Sequence, residues 1–223
     1  MPLMTPTTHF DILEVSEHMP AGSRLVVNDF SWEEYELLMH DLEGLRNPRL
    51  SYDCGSLEVV SISPGHDGYD RMVDAFVREF CEARGMEVEA FGQATWKRKS
   101  IGKGAEADCC YYIQNAVKVF GKQQIPLESN PPPDLVVEID LTTDSVRKLR
   151  IYAGLGVPEV WIFDGKVFHF HALLDGKYSE VSSSKRLPGL EGSWMVEAFS
   201  VVEAHGQMEA IRAFRRLIRK PKK

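Results

Sequence analysis

The stretch PPPDLVVEID, residues 131–140, decides how this chain folds. Consecutive prolines can neither donate to a sheet ladder nor continue a helix, so they punctuate the chain just ahead of a run rich in β-branched residues. The remainder, DLVVEID, reads as a strand. Its period of two puts Leu135, Val137 and Ile139 on one side and Asp134, Val136, Glu138 and Asp140 on the other. One face is wholly apolar and belongs against a core. The opposite face carries carboxylates, which repel one another and resist desolvation unless a cation compensates. That face is therefore either a solvated strand end or one wall of a cation site.

Working outward, Thr143 or Asp144 can cap a helix that runs to about Ala153, with Gly154 and Gly156 ending it. VPEVWIFDGKVFHFHAL (157–173) returns as two strands around Asp164 and Gly165. Upstream, MEVEAFGQATWKRK (86–99) and GAEADCCYYIQN (104–115) read as hairpin partners joined by a basic tip, Lys97 to Lys99. Between Asp67 and Arg84 the apolar positions Met72, Ala75, Phe76, Phe80 and Ala83 recur at three and four, so this segment is an amphipathic helix closed by Gly85. RLSYDCGSLEVVSISP (49–64) reads as a hairpin turning near Asp53 to Ser56. SWEEYELLMHDLEG (31–44) reads as a helix with Ser31 and Glu34 forming a capping box. The first 30 residues look irregular. Near the C-terminus Met208, Ile211, Phe214, Leu217 and Ile218 make an apolar stripe beside Arg212, Arg215, Arg216, Arg219 and Lys220. The expected organisation is an N-terminal extension (1–30), one α/β domain (31–200) and a basic amphipathic helix (201–223).

Bulk properties bound the function. The 223 residues are 43% hydrophobic, ordinary for a soluble protein with a buried core, and the start lacks the apolar block of a signal peptide, so a cytoplasmic protein without membrane contact is expected. Cys54, Cys81, Cys109 and Cys110 show no CxxC spacing and read as reduced thiols rather than a zinc site. A net charge of -7 argues against non-specific coating of nucleic acid, which draws its affinity from Lys and Arg, but leaves room for a local basic cleft. Lys97, Arg98, Lys99 and Lys103 fit a phosphate contact and a solvated tip equally well. His169 and His171 share a strand face but lack a third ligand at suitable spacing.

Spacing limits which acids can share an ion. Along a regular strand Asp134 and Glu138 lie roughly 13 Å apart, too far to grip one cation, whereas paired strands lie only about 4.8 Å apart. Asp108, with Glu106 two residues earlier on the same face, is the acid a neighbouring strand offers. Asp108 and Glu138 are thus the preferred ligand pair, and Asp140 is a further candidate. Two carboxylates suit Mg²⁺, with Mn²⁺ as a substitute, because that ion keeps positions for water and phosphate. Lys148 is the nearest lysine that could steady a water and developing charge.

At these residues the chain resembles the Uma-type restriction endonuclease family of the PD-(D/E)XK nuclease superfamily. The resemblance runs through LEVVSISPGHDGY (57–69), ATWKRKSIGKGAEADCCYYIQN (94–115), PPPDLVVEID and YAGLGVPEVWIFDG (152–165) in the family's order. It implies a restriction-endonuclease-like α/β core, a central mixed β-sheet flanked by helices, with a divalent-metal phosphodiesterase site acting on DNA. By position Asp108 and Glu138 take the acidic roles. Asp140 stands where the superfamily's signature lysine is expected, and Lys148 matches the helix lysine that substitutes. Glu79 on the first core helix and His66 at its start are weaker candidates, as is Asp134. Ala107 replaces a common proline, a conformational rather than chemical departure. A homodimer would let one site address each DNA strand. The rival expectation, prompted by Asp140, is a nuclease-fold module without turnover that binds nucleic acid or a partner.

Overall fold

The computed structural model describes residues 9–43, 47–61, 66–141 and 145–219. The N-terminal segment expected to be irregular contains a helix, α1 (His9–His18), and a strand, β1 (Arg24–Val27). Composition hid both, since α1 is weakly amphipathic and β1 is short. Next comes α2 (Trp32–Asp41), closed at its start by the expected capping box. The Ser31 hydroxyl accepts the Glu34 N–H at 3.2 Å, and the Glu34 carboxylate accepts the Ser31 N–H at 2.7 Å. Strands β2 (Arg49–Asp53) and β3 (Ser56–Val60) form the expected hairpin. Cys54 (φ 49) and Gly55 (φ 97) both take the left-handed conformation that a tight two-residue turn requires.

The amphipathic helix α3 (His66–Arg84) is followed by β4 (Glu89–Phe91), β5 (Ala94–Arg98), β6 (Lys103–Ala107), β7 (Cys109–Tyr112) and the short α4 (Ala116–Val119). The deciding stretch is β8 (Leu135–Ile139), buried throughout. A 3-10 turn, Ser145–Arg147, leads into α5 (Lys148–Leu155), which Gly156 closes at φ 82. The candidate caps Thr143 and Asp144 lie outside the described residues, and Gly154 sits inside α5 rather than ending it. The chain finishes with β9 (Glu159–Phe163), β10 (Phe168–Leu174), β11 (Lys177–Val181) and α6 (Gly192–Ile218).

The expected mixed α/β core flanked by helices is present, with its strands divided into two sheets. Five strands order as β1-β3-β2-β6-β5, and six as β11-β10-β9-β8-β7-β4. The second is mixed, because β8 and β9 run parallel with α5 as their crossover. The anticipated hairpin between 86–99 and 104–115 is split between them. β5 pairs with β6 in the first sheet, and β4 pairs with β7 in the second. Asp108 is the single residue between β6 and β7, where the chain passes from one sheet to the other.

The two faces of β8 behave as their periodicity dictates. Leu135, Val137 and Ile139 join Met72, Phe76 and Phe80 of α3 and Phe214 of α6 in the largest apolar cluster. Val136 packs on the other side with Ile151, Tyr152 and Leu155 of α5. A third cluster, including Ile12, Trp32, Tyr35, Tyr52 and Leu57, ties α1 and α2 to the first sheet. Helix α6 begins at Gly192, earlier than expected, and kinks at Gly206 (φ 78). Met208 is 58% exposed and drops out of the expected stripe, whereas Phe214, Leu217 and Ile218 are buried. Among the described residues no helix is long and apolar enough to cross a membrane.

Candidate functional site

The acidic face of β8 meets α5. Lys148 and Tyr152 are one helical turn apart and therefore share a face, which α5 presents to the strand. Glu138, only 1% exposed, receives both. The Lys148 ammonium donates to Glu138 Oε2 at 2.8 Å and to the Glu106 carbonyl at 3.0 Å. The Tyr152 hydroxyl donates to Glu138 Oε1 through a short hydrogen bond, and Ser145 Oγ reaches Oε2 at 3.3 Å.

Asp108 completes the pair from the neighbouring strand. Cys109 stands opposite Val137, so continuing the register by one residue sets Asp108 opposite Glu138. Its Oδ2 accepts the Ile139 N–H at 2.9 Å, while Oδ1 lies 3.7 Å from Arg49 Nη2. Glu106 accepts the Leu50 N–H at 3.1 Å and faces Arg49 Nη1 at 3.9 Å. Asp140 turns back on its own loop and takes the N–H and hydroxyl of Ser145 at 2.7 and 2.5 Å.

Burial governs the electrostatics. It pushes Glu138 up to about 7, against the pull of Lys148 and with the help of Asp108. Burial also raises Glu106 and Asp140, opposed by Arg49 and Ser145 respectively. For Lys148 burial acts downward, but Glu138 and Asp108 outweigh it and hold the ammonium above its ordinary value. The lysine is thus a fixed cation near neutral pH.

Other candidates are occupied elsewhere. Asp134, buried beside the prolines, accepts the Ile113 and Asn115 N–H groups, both at 2.8 Å, and the Asn115 amide at 2.6 Å, so it caps the turn before α4. Glu79 forms a two-pronged ion pair with Arg215, which joins α3 to α6. The His66 side chain lies outside the described residues. The basic tip is largely neutralised, with Lys97 on Glu36 and Lys99 on Glu33, each at 3.0 Å. His169 sits between Glu180 and Asp164, on the far side strand β10. Sequence reasoning missed Ser145, Tyr152 and Arg49. Tyr152 was findable from its four-residue spacing after Lys148, but nothing marked Arg49.

The model of the Uma2 family, described as "Putative restriction endonuclease", matches residues 32–203, well over half of the chain. This chain belongs to the Uma2 family. No curated protein matches it. The Uma2 match takes in the second sheet, the first sheet except β1, α5 and the start of α6, so it contains Asp108, Glu138 and Lys148 together. A divalent cation fits the donor set of this Uma2 protein. Asp108 and Glu138 are hard oxygen donors, and the carboxylates of Glu106, Asp108, Glu138 and Asp140 outnumber the cations Arg49 and Lys148. Among the described residues no three His, Cys, Asp or Glu side chains gather around one point. An ion here would rest on two carboxylates, the coordination that suits magnesium with water and phosphate in its other positions.

Proposed function

We propose that this protein is a divalent-metal-dependent endonuclease that hydrolyses phosphodiester bonds in DNA. The observation that carries the reading is the convergence of Lys148 on Glu138, with Asp108 across the strand from it. When bound, Mg²⁺ or Mn²⁺ would polarise the scissile phosphate and acidify an attacking water. Asp108 and Glu138 would hold that ion. Tyr152 on Oε1 and Lys148 on Oε2 fix the Glu138 carboxylate from two sides, which restricts its rotamers before any ligand arrives. Lys148 serves as a hydrogen-bond donor to charge developing on the phosphate, not as the base, because its proton is held above the ordinary lysine value. Its position on a helix makes good the departure at residue 140, where Asp140 has turned away to Ser145.

Purified protein with Mg²⁺ or Mn²⁺ is expected to nick supercoiled plasmid, and Glu138→Ala to abolish nicking. Absence of cleavage with either metal, or full activity in the Glu138→Ala protein, overturns the proposal. A second reading, a module that binds nucleic acid without cutting it, is favoured by one feature. Both oxygens of Glu138 already accept hydrogen bonds from protein donors. Salt-sensitive DNA binding without product under any divalent metal would select it.

A further inference from the structure

Arg49 opens β2 with its side chain 8% exposed, yet its donors are committed to nothing close. Nη1 stands 3.9 Å from Glu106 and Nη2 3.7 Å from Asp108, and Nε is enclosed without a partner. A guanidinium that served only to neutralise those acids would close on them as a fork at about 2.8 Å. Enclosing the Nε donor without an acceptor is costly, and the Nη donors stand 3.7 and 3.9 Å from their carboxylates, so the arrangement needs an acceptor to complete it. Of the other lysines, Lys97, Lys99 and Lys103 each hold a carboxylate at normal contact distance or closer, and Lys148 keeps one donor beyond those on Glu138 and the Glu106 carbonyl.

The surroundings indicate the acceptor's chemistry. Strand periodicity puts Arg49, Ser51 and Asp53 on one face of β2. Ser51, Asp53 and Glu58 line a cavity of about 310 Å³ whose opposite wall holds Arg147 and Arg150 of the segment leading into and through α5, with Arg150 held by Asp53 at 2.5 Å. Arg49 therefore lies on β2 between the paired acids and a recess of mixed charge, and its guanidinium is the cation that faces Asp108 without closing on it. Planar guanidinium donors match the paired oxygens of a phosphodiester. We infer that Arg49 is a phosphate-binding residue, whose guanidinium grips the phosphodiester that the Asp108–Glu138 site addresses. The inference rests on the nuclease reading above.

The test measures binding apart from turnover. Anisotropy of a labelled DNA duplex is titrated in Ca²⁺ over a range of salt for wild type, Arg49→Gln and Arg49→Lys, and Mn²⁺ binding without DNA is measured by electron paramagnetic resonance. Arg49→Gln is expected to weaken duplex binding about tenfold or more and to lower the salt slope by about one. Its Mn²⁺ affinity stays equal or rises, because a cation facing Asp108 has gone. Arg49→Lys keeps the salt slope but not the full affinity, since one ammonium cannot reproduce the fork. Wild-type duplex affinity in Arg49→Gln overturns the inference and leaves the nuclease reading standing. Loss of Mn²⁺ binding in parallel with DNA binding also overturns it, for Arg49 would then be supporting the carboxylates. If Arg49→Gln does not fold, wild-type affinity in Arg49→Lys overturns it instead. A wild-type protein that binds no DNA in any divalent metal overturns both readings.

Discussion

Glu138 and Lys148 form a buried charge pair in which the acid bears the burial cost. With its pKa raised to about 7, the folded protein holds the Glu138 proton more tightly than the unfolded chain does. Stability from this group is thus greatest at low pH, and it falls as pH rises through 4.5 to about 7, by at most about 1.4 kcal/mol per unit. Urea unfolding of metal-free protein between pH 5 and 8 should show the decline, and Glu138→Gln should flatten it. Equal slopes in the two proteins would contradict the burial argument. Metal binding has the opposite dependence, because the carboxylate must lose its proton. Calorimetry near pH 6 in buffers of different ionisation enthalpy should detect proton release on adding Mg²⁺. Lys148→Met leaves Glu138 enclosed without its cation, a loss of about 3–5 kcal/mol at pH 8. The loss should be smaller at pH 5.5, where Glu138 can take up a proton, and denaturation at both pH values reads the difference.

Helix α5 owes its position to a close pass beneath Gly154. The aliphatic stem of Lys103 runs there, on its way to an ion pair with Asp53, which also holds Arg150 at 2.5 Å. A methyl group on Gly154 would run into Lys103 Cδ and lie 2.7 Å from Cε. Gly154→Ala should push the Lys103 stem aside, an overpacking cost of about 1–3 kcal/mol that the helix preference for Ala offsets by about 1 kcal/mol. It should also lower cleavage beyond the lost folded fraction, since α5 carries Lys148 and Tyr152. Lys103→Ala relieves the clash, so the double variant should melt above the additive expectation, and thermal denaturation of all four proteins checks this. Asp134→Ala acts on the other end of β8. It strands the Ile113 and Asn115 N–H groups, costing about 1–3 kcal/mol for each, while the folded protein keeps its activity if Asp134 is only a cap.

Across the molecule, the acids meet because two sheets meet. Asp108 occupies the step from β6 to β7, and α6 closes the far side of the second sheet by laying Phe214 against Phe76, ring centroids 4.6 Å apart. Ending the chain after residue 205 removes Ala210, Phe214, Leu217 and Ile218 from the core. Such a truncation should lose cooperative unfolding and bind a hydrophobic dye. Arg215→Ala, which breaks only the half-exposed pair with Glu79, should leave both the melt and the cleavage close to wild type. A large loss of activity in Arg215→Ala would reopen the question of Glu79 as a site residue.

What could be read from the amino acids was whatever has a local cause. The alternation in DLVVEID assigned Leu135, Val137 and Ile139 to the core, because side chains reverse direction at every strand residue. Ser31 and Glu34 announced a helix start, and the spacing between strands singled out Asp108 as the partner of Glu138. Only the tertiary structure decided that β5–β6 and β4–β7 belong to different sheets, since pairing partners are chosen by the whole core and not by the hairpin's own sequence. It likewise decided the fates of three acids of similar local appearance. Asp134 became a cap, Glu79 a helix-to-helix tie, and Glu138 the acid with a lysine on it. Arg49 gave no local signal, because its position beside Asp108 depends on a strand 59 residues away in the chain reaching the same junction. The acids of PPPDLVVEID thus divide by their donors, since Asp134 and Glu138 are equally buried. A carboxylate's role is set by which donors surround it, and those donors arrive from distant segments.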